Sequence, residues 1–81
     1  MKYRFLPKFV DELEVLPLEI QKKFQKQLKL LLSNIRYPSL CVKKYGGESD
    51  IWQARVDKNH RFYFRIENDC YIFTQIIKHP K

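Results

Sequence analysis

The stretch that decides the fold is Ile51-Trp-Gln-Ala-Arg-Val56, followed by Asp57-Lys-Asn-His60 and Arg61-Phe-Tyr-Phe-Arg-Ile66. Two runs rich in β-branched and aromatic residues flank a short polar segment, the pattern of an antiparallel hairpin. Successive strand side chains point to opposite faces. Trp52, Ala54 and Val56 therefore share one face of the first strand, and Phe62, Phe64 and Ile66 fall together on the second. Gln53 and Arg55, with Arg61, Tyr63 and Arg65, take the other side. One face has the character of a core; the other gathers arginines and a tyrosine on a rigid sheet.

Toward the C-terminus, Asn68-Asp69 has turn chemistry and joins Ile66 to a last strand, Cys70 to Ile77. Strict alternation puts Ile72 and Ile76 on one side of it and Tyr71, Phe73 and Ile77 on the other. Apolar residues on both sides suit an interior strand. Toward the N-terminus, Ser39 to Tyr45 is a strand or strand-like approach, and Gly46-Gly47 marks a turn before Glu48 to Asp50.

Helical spacing governs the first half. Lys2 to Leu6 alternates as a short strand that Pro7 ends, and proline suits the first turn of a following helix. Phe9, Leu13 and Leu16 then recur at helical intervals until Pro17 interrupts them. From Pro17, a stripe of Ile20, Phe24, Leu28, Leu31, Leu32 and Ile35 predicts a helix of about 18 residues. Lys22, Lys23, Gln25, Lys26 and Lys29 fill its polar face, and Asn34 to Pro38 stops it. Together these segments predict a helical hairpin laid across one face of a sheet.

The chain has 81 residues, one small domain spanning 1–81, with 44 % hydrophobic and 15 % aromatic residues to build a core. Two glycines and four prolines, without low-complexity runs, exclude a linker-like chain. The net charge of +7 is spread over both halves and favours nucleic acid or a strongly acidic protein partner. Cys41 and Cys70 make no disulfide framework, and no metal-ligand spacing links them to His60 and His79. No metal or cofactor is expected. Neither a signal-like apolar run nor a membrane span is present, so a cytoplasmic protein with reduced thiols is the expectation.

The ordered set of Tyr3-Arg-Phe-Leu-Pro7, Leu16-Pro-Leu-Glu-Ile20, Pro38-Ser-Leu40, Val42-Lys-Lys44, Ile51 to Val56, Arg61-Phe-Tyr-Phe64, Tyr71-Ile72 and His79 resembles the RelE/ParE superfamily of bacterial toxins from type II toxin–antitoxin modules. The resemblance covers essentially the whole chain. It implies an α+β fold: an N-terminal strand and a two-helix hairpin packed on one face of a small, mostly antiparallel four-stranded sheet. It also implies a cognate antitoxin that wraps the toxin with an extended, often acidic segment, consistent with the positive charge and an apolar or aromatic sheet face. A toxin–antitoxin hetero-oligomer would result.

Many members of the superfamily are ribosome-dependent mRNA endonucleases, and the ParE branch inhibits DNA gyrase instead; both readings stand, as does an inactive, binding-only relic. Cleavage in the nuclease members needs no metal. The ribose 2′-hydroxyl attacks the adjacent phosphate while a base, a cation and an acid assist. The resemblance assigns Arg61 to the scissile phosphate, His79 to acid–base work and Arg55 to an accessory basic position. Lys43, Lys44, Lys78 and Tyr63 would extend the RNA contact, and Tyr71 either stacks on a base or, with Tyr63, fills a concave sheet face. Asp57 or Glu67 is the competing salt-bridge partner for Arg61. His60, in the turn, has no assigned role. Departures also stand out: YoeB-type members have a tyrosine where this chain has Pro80, and their glutamate base falls at Val42. Glu48 and Glu67 are candidate bases by residue type alone.

Overall fold

The structure, a computed structural model, describes residues 2–45 and 50–79. Its elements in chain order are β1 (Lys2–Phe5), α1 (Pro7–Glu14), α2 (Leu18–Ser33), a 3₁₀ turn (Pro38–Leu40), β2 (Lys43–Tyr45), β3 (Ile51–Arg55), β4 (His60–Glu67) and β5 (Cys70–Lys78). The expected Gly46-Gly47 turn, Glu48 and Pro80 lie outside the described residues.

Pro7 opens α1, where its missing N–H would be unpaired in any case. The Gln21 side chain ties the two helices together, donating to the carbonyls of Leu16 (2.9 Å) and Glu14 (3.5 Å) beyond and at the end of α1. Such carbonyls have no partner inside the helix. Pro17 precedes α2 rather than opening it, and α2 is 16 residues long, roughly 24 Å. It stops at Ser33, short of Ile35. Asn34 turns to an extended conformation, and its side-chain oxygen accepts the Arg36 N–H at 3.0 Å. That local bond competes with a further helical turn.

The sheet has five strands where four were expected, in the order β1-β5-β4-β3-β2. The additional strand is the short β2, which pairs antiparallel with β3. Only β1 is parallel to its neighbour, β5. The β3–β4 hairpin pairs Trp52 with Phe64, Gln53 with Tyr63, Ala54 with Phe62 and Arg55 with Arg61, which keeps each residue on the face that alternation predicts. Asn68 and Asp69 both take positive φ, 47° and 62°, the pair of left-handed conformations that a tight two-residue hairpin turn requires.

One irregularity changes the facing of β5. Tyr63 lies opposite Gln75 and Phe64 opposite Phe73, which leaves Thr74 as an extra residue, a β-bulge. Its hydroxyl donates to the Tyr63 carbonyl at 3.3 Å. The bulge inverts the alternation beyond it. Ile76 joins Tyr71 and Phe73 on the helix-covered face, opposite Phe62, while Ile77 joins Ile72 on the other face, opposite Arg61. Strict alternation assigns Ile76 and Ile77 the reverse way, and the bulge is the reason it fails.

The core lies between the helices and this sheet face. Phe9, Phe24, Phe62, Phe64 and Phe73 are fully buried. Phe24 stands edge-on to Phe62 at 5.2 Å and to Phe73 at 5.9 Å, and lies 5.3 Å from Phe9. Tilted and edge-to-face rings are the favoured aromatic contacts. The Glu12 carboxylate of α1 accepts the Ile76 N–H at 3.1 Å, beyond the reach of β1, whose pairing with β5 stops at Phe73.

Candidate functional site

Sheet register brings three of the candidate residues to one end of the face opposite the helices. Arg55 and Arg61 stand directly across from each other on β3 and β4, and Ile77 of β5 completes their row. Two residues past Ile77, the His79 N–H donates to the Asn59 carbonyl, 2.6 Å away, which pins the chain end beside the β3–β4 loop. Alternation from Ile77 puts position 79 on the arginine face.

Like charges directly opposite on neighbouring strands repel. Among the described residues no carboxylate lies within 4 Å of either the Arg55 or the Arg61 guanidinium. Arg61 is held differently. Its Nη1 donates to the carbonyls of Asp57 (2.7 Å), His60 (3.0 Å) and Lys58 (3.4 Å), so one end of the fork clasps the hairpin loop. Its expected competitors, the carboxylates of Asp57 and Glu67, are occupied elsewhere: Glu67 lies 3.9 Å from Arg65.

Asp57 organises the loop. Its Oδ1 accepts the N–H groups of Asn59 (2.8 Å) and His60 (2.9 Å) and contacts His60 Nδ1 at 3.1 Å, while Oδ2 faces Lys23 Nζ at 3.6 Å. Partial burial works to raise this carboxyl's pKa. The Asn59 N–H, the His60 side-chain bond, the His60 charge and the His60 N–H outweigh it and hold the group below its ordinary value. His60 thus has a structural place in the loop that its sequence position did not signal.

The middle of the arginine face is not open. Tyr63 and Gln53 are buried there, at 9 % and 6 % exposure, and the Gln53 amide donates to the Tyr63 hydroxyl at 3.0 Å. Ile72 is buried on the same side. The expected continuous basic surface is therefore divided by a buried row. Arg65, opposite Ile51 and Ile72, is half-buried, and its Nε has no hydrogen-bond partner among the described residues. Tyr71 lies on the helix side against Phe64, neither on the concave face nor open to a base, and burial pushes its phenol up.

The lysines separate. Exposed Lys43 pairs with Gln53 and shares the arginine face. Lys44 pairs with Trp52 on the helix side and lies 3.7 Å from Asp50. Lys78 pairs with His60, also on the helix side. Val42 lines a cavity of about 450 Å³ with Arg36, Tyr37, Cys41 and Trp52, and its own side chain offers no base. The exposed large apolar side chains, Tyr3, Val15, Leu18 and Tyr37, lie off the arginine face rather than on it. Among the described residues no three metal-ligating side chains converge, and no helix is long and apolar enough to cross a membrane.

No family model matches the chain, and no curated protein matches it in sequence. Solved structures do. A YoeB/ParE toxin from Agrobacterium tumefaciens superposes with a TM-score of 0.83 over 99 % of this chain and 100 % of its own, at 16 % identity. A chain of the RelB–RelE antitoxin–toxin complex from Methanococcus jannaschii gives 0.76 over 91 % and 87 %, at 24 % identity. YafQ from Escherichia coli gives 0.80 over 96 % and 92 %, at 11 % identity. The chain has the RelE/YoeB toxin fold.

Within this RelE/YoeB fold, Gln27 is the residue that apolar patterning missed. It interrupts the buried apolar face of α2, is 6 % exposed, and donates to the carbonyls of Arg55 (2.8 Å) and Ser39 (3.2 Å). A glutamine between Phe24 and Leu31 at helical spacing was the available signal. It fixes the end of β3, and with it the arginine pair, to the helical layer.

Proposed function

We propose that the chain is the toxin of a toxin–antitoxin module and that it cleaves mRNA on the ribosome. The observation that carries this reading is the Arg55–Arg61 pair, two cations in register with no carboxylate within 4 Å among the described residues, in a chain with the fold of RelE, YoeB and YafQ. An anion between the guanidiniums relieves their repulsion, and a phosphodiester is the anion a planar fork grips best.

In the proposed reaction the ribose 2′-hydroxyl gives its proton to solvent water and its oxygen attacks phosphorus, forming a P–O2′ bond as the P–O5′ bond breaks and leaving a 2′,3′-cyclic phosphate. Arg61, fixed through Nη1 to the loop, presents its remaining donors to the non-bridging oxygens. Charge of this kind, placed where negative charge develops, is usually the largest catalytic contribution. His79 gives an imidazolium proton to the departing 5′-oxygen, the general-acid role that an imidazole can fill. The ribosome supplies the setting in which the 2′-oxygen is aligned. The antitoxin partner is an acidic extended segment that covers the same positive surface in a hetero-oligomer, as antitoxins accompany toxins in the M. jannaschii complex. The expected setting is the cytoplasm.

Induced expression tests this directly. Arrested translation with cut mRNA, relieved by Arg61→Ala, is the expected result; intact mRNA during arrest would sink the nuclease reading. A ParE-like, non-nucleolytic gyrase inhibitor is the second reading. It is favoured by Val42 standing at the glutamate position and by Arg61 having one donor nitrogen occupied by the loop. DNA damage with intact mRNA would select it, and arrest of neither kind would leave a binding-only relic.

A further inference from the structure

A second cavity, about 370 Å³, opens on the helix side of the arginine pair, between α2 and the end of β3. Its lining includes Lys23, Lys26, Gln27, Ser39, Arg55 and Asp57. Three are cations and one is a carboxylate, which leaves two uncompensated positive charges. The carboxylate is already engaged: Oδ1 of Asp57 serves the loop, and only Oδ2 turns toward Lys23. Lys26 and Arg55 have no ion-pair partner among the described residues.

This arrangement differs from a row of solvated helix lysines in its floor. The buried Gln27 amide bonds both the Arg55 and Ser39 carbonyls, so the walls contributed by α2, the 3₁₀ turn and β3 are fixed relative to one another. Lys23 is drawn toward the rim by Asp57. Lys22 and Lys29 sit on the same helix, exposed, and take no part in the cavity.

We infer that this cavity is a phosphate-binding subsite for a single-stranded RNA backbone, held by Lys23, Lys26 and Arg55 and distinct from the Arg61 contact. It rests on the RNA reading above and extends it. Arg55 is common to both positions, so the strand passes around the end of the hairpin from the arginine face onto α2. The subsite reads charge and not base identity: cations, the Asp57 carboxylate, Val56 and the polar groups of Gln27 and Ser39 line it, and none of these described residues offers an aromatic ring to a base.

The test is equilibrium binding of a fluorescent, fully 2′-O-methylated oligoribonucleotide, which cannot be cleaved, between 50 and 200 mM salt. Each lost phosphate contact lowers the slope of log affinity against log salt by about 0.7 for single strands. Lys26→Gln is expected to reduce the slope by about 0.7 and weaken binding at low salt. Lys29→Gln, the same charge change outside the cavity, is expected to leave the slope unaltered. Equal effects of the two substitutions would overturn the subsite, since a diffuse field makes no distinction between them. Amide shifts at Gln27 and Arg55 with inorganic phosphate but not with the oligonucleotide would also overturn it, leaving an adventitious ion only. An Arg61→Ala protein that loses slope while Lys26→Gln does not would retain the RNA reading and remove only this site. No RNA binding by the unaltered protein would remove both.

Discussion

The side-chain amide of Gln27 donates to the Arg55 carbonyl at 2.8 Å, a bond from the middle of α2 to the last residue of β3. Its second donation, to Ser39, makes one buried side chain the clasp among three elements. Gln27→Leu keeps comparable bulk and leaves two carbonyls without their partner. Removing a partner from a buried polar group costs about 1–3 kcal/mol. The expected outcome is a destabilisation of that size in urea unfolding at unchanged m-value, larger than that of Gln25→Leu on the exposed face of the same helix. Equal stability of the two variants would show that the clasp contributes nothing.

Arg61 combines two tasks that substitution separates. Arg61→Lys keeps the charge but cannot clasp the loop carbonyls and present a planar fork together. It is expected to relieve toxicity almost as fully as Arg61→Ala, with a loss of roughly 1.5–3 kcal/mol for the charged hydrogen bonds in both. His79→Ala alters an exposed residue whose tie to Asn59 is through backbone, so its stability stays within about 0.5 kcal/mol. Its cleavage rate on ribosomes is expected to fall roughly 10²–10⁴-fold, the usual span for acid–base assistance. A fully active His79→Ala protein would remove His79 from the mechanism.

Asp57 makes the stability of the loop pH-dependent in a stated direction. Its pKa in the folded chain is lowered, so its contribution is complete above the ordinary unfolded value of about 3.9 and is lost as pH falls through the lowered one. Between about pH 4 and pH 2, urea unfolding of the unaltered protein is expected to show a steeper loss of stability than that of Asp57→Asn. Identical pH slopes for the two proteins would contradict the hydrogen-bonded assignment.

How much was legible in the sequence follows from the range of each interaction. That Arg55 and Arg61 lie on the basic face of the hairpin was legible because alternation is local; that they stand directly opposite each other came only with the strand register. The Asn68-Asp69 turn was legible because few residues accept left-handed backbone. The stripe from Ile20 to Leu31 located α2, but its end at Ser33 depends on a side-chain bond of Asn34 that periodicity does not encode. Gln27, Asp57 and His60 escaped for a shared reason: polar residues buried by partners distant in the chain or folded into a loop look like solvated ones. Lys44 and Lys78 looked like companions of Arg61 until strand register put them on the opposite face.

Thr74 is the position where local alternation and the fold disagree, and it yields the sharpest structural prediction. Deleting Thr74 would remove the extra residue while keeping the pairings on either side of it, so Ile76 and Phe73 stay on the helix-covered face with strict alternation restored. Both are essentially fully buried, at 1 % and 0 % exposure. Loss of one such side chain costs about 2–5 kcal/mol, a large fraction of the stability of a small domain. Because neither side chain is turned out, the deletion is expected to keep a cooperative unfolding transition. Thr74→Val keeps the extra residue and removes only the hydroxyl that donates to Tyr63, so it is expected to cost about 0.5–1.5 kcal/mol and to remain folded. A deletion variant without a cooperative urea transition would show that Thr74 does more than reset the facing of β5.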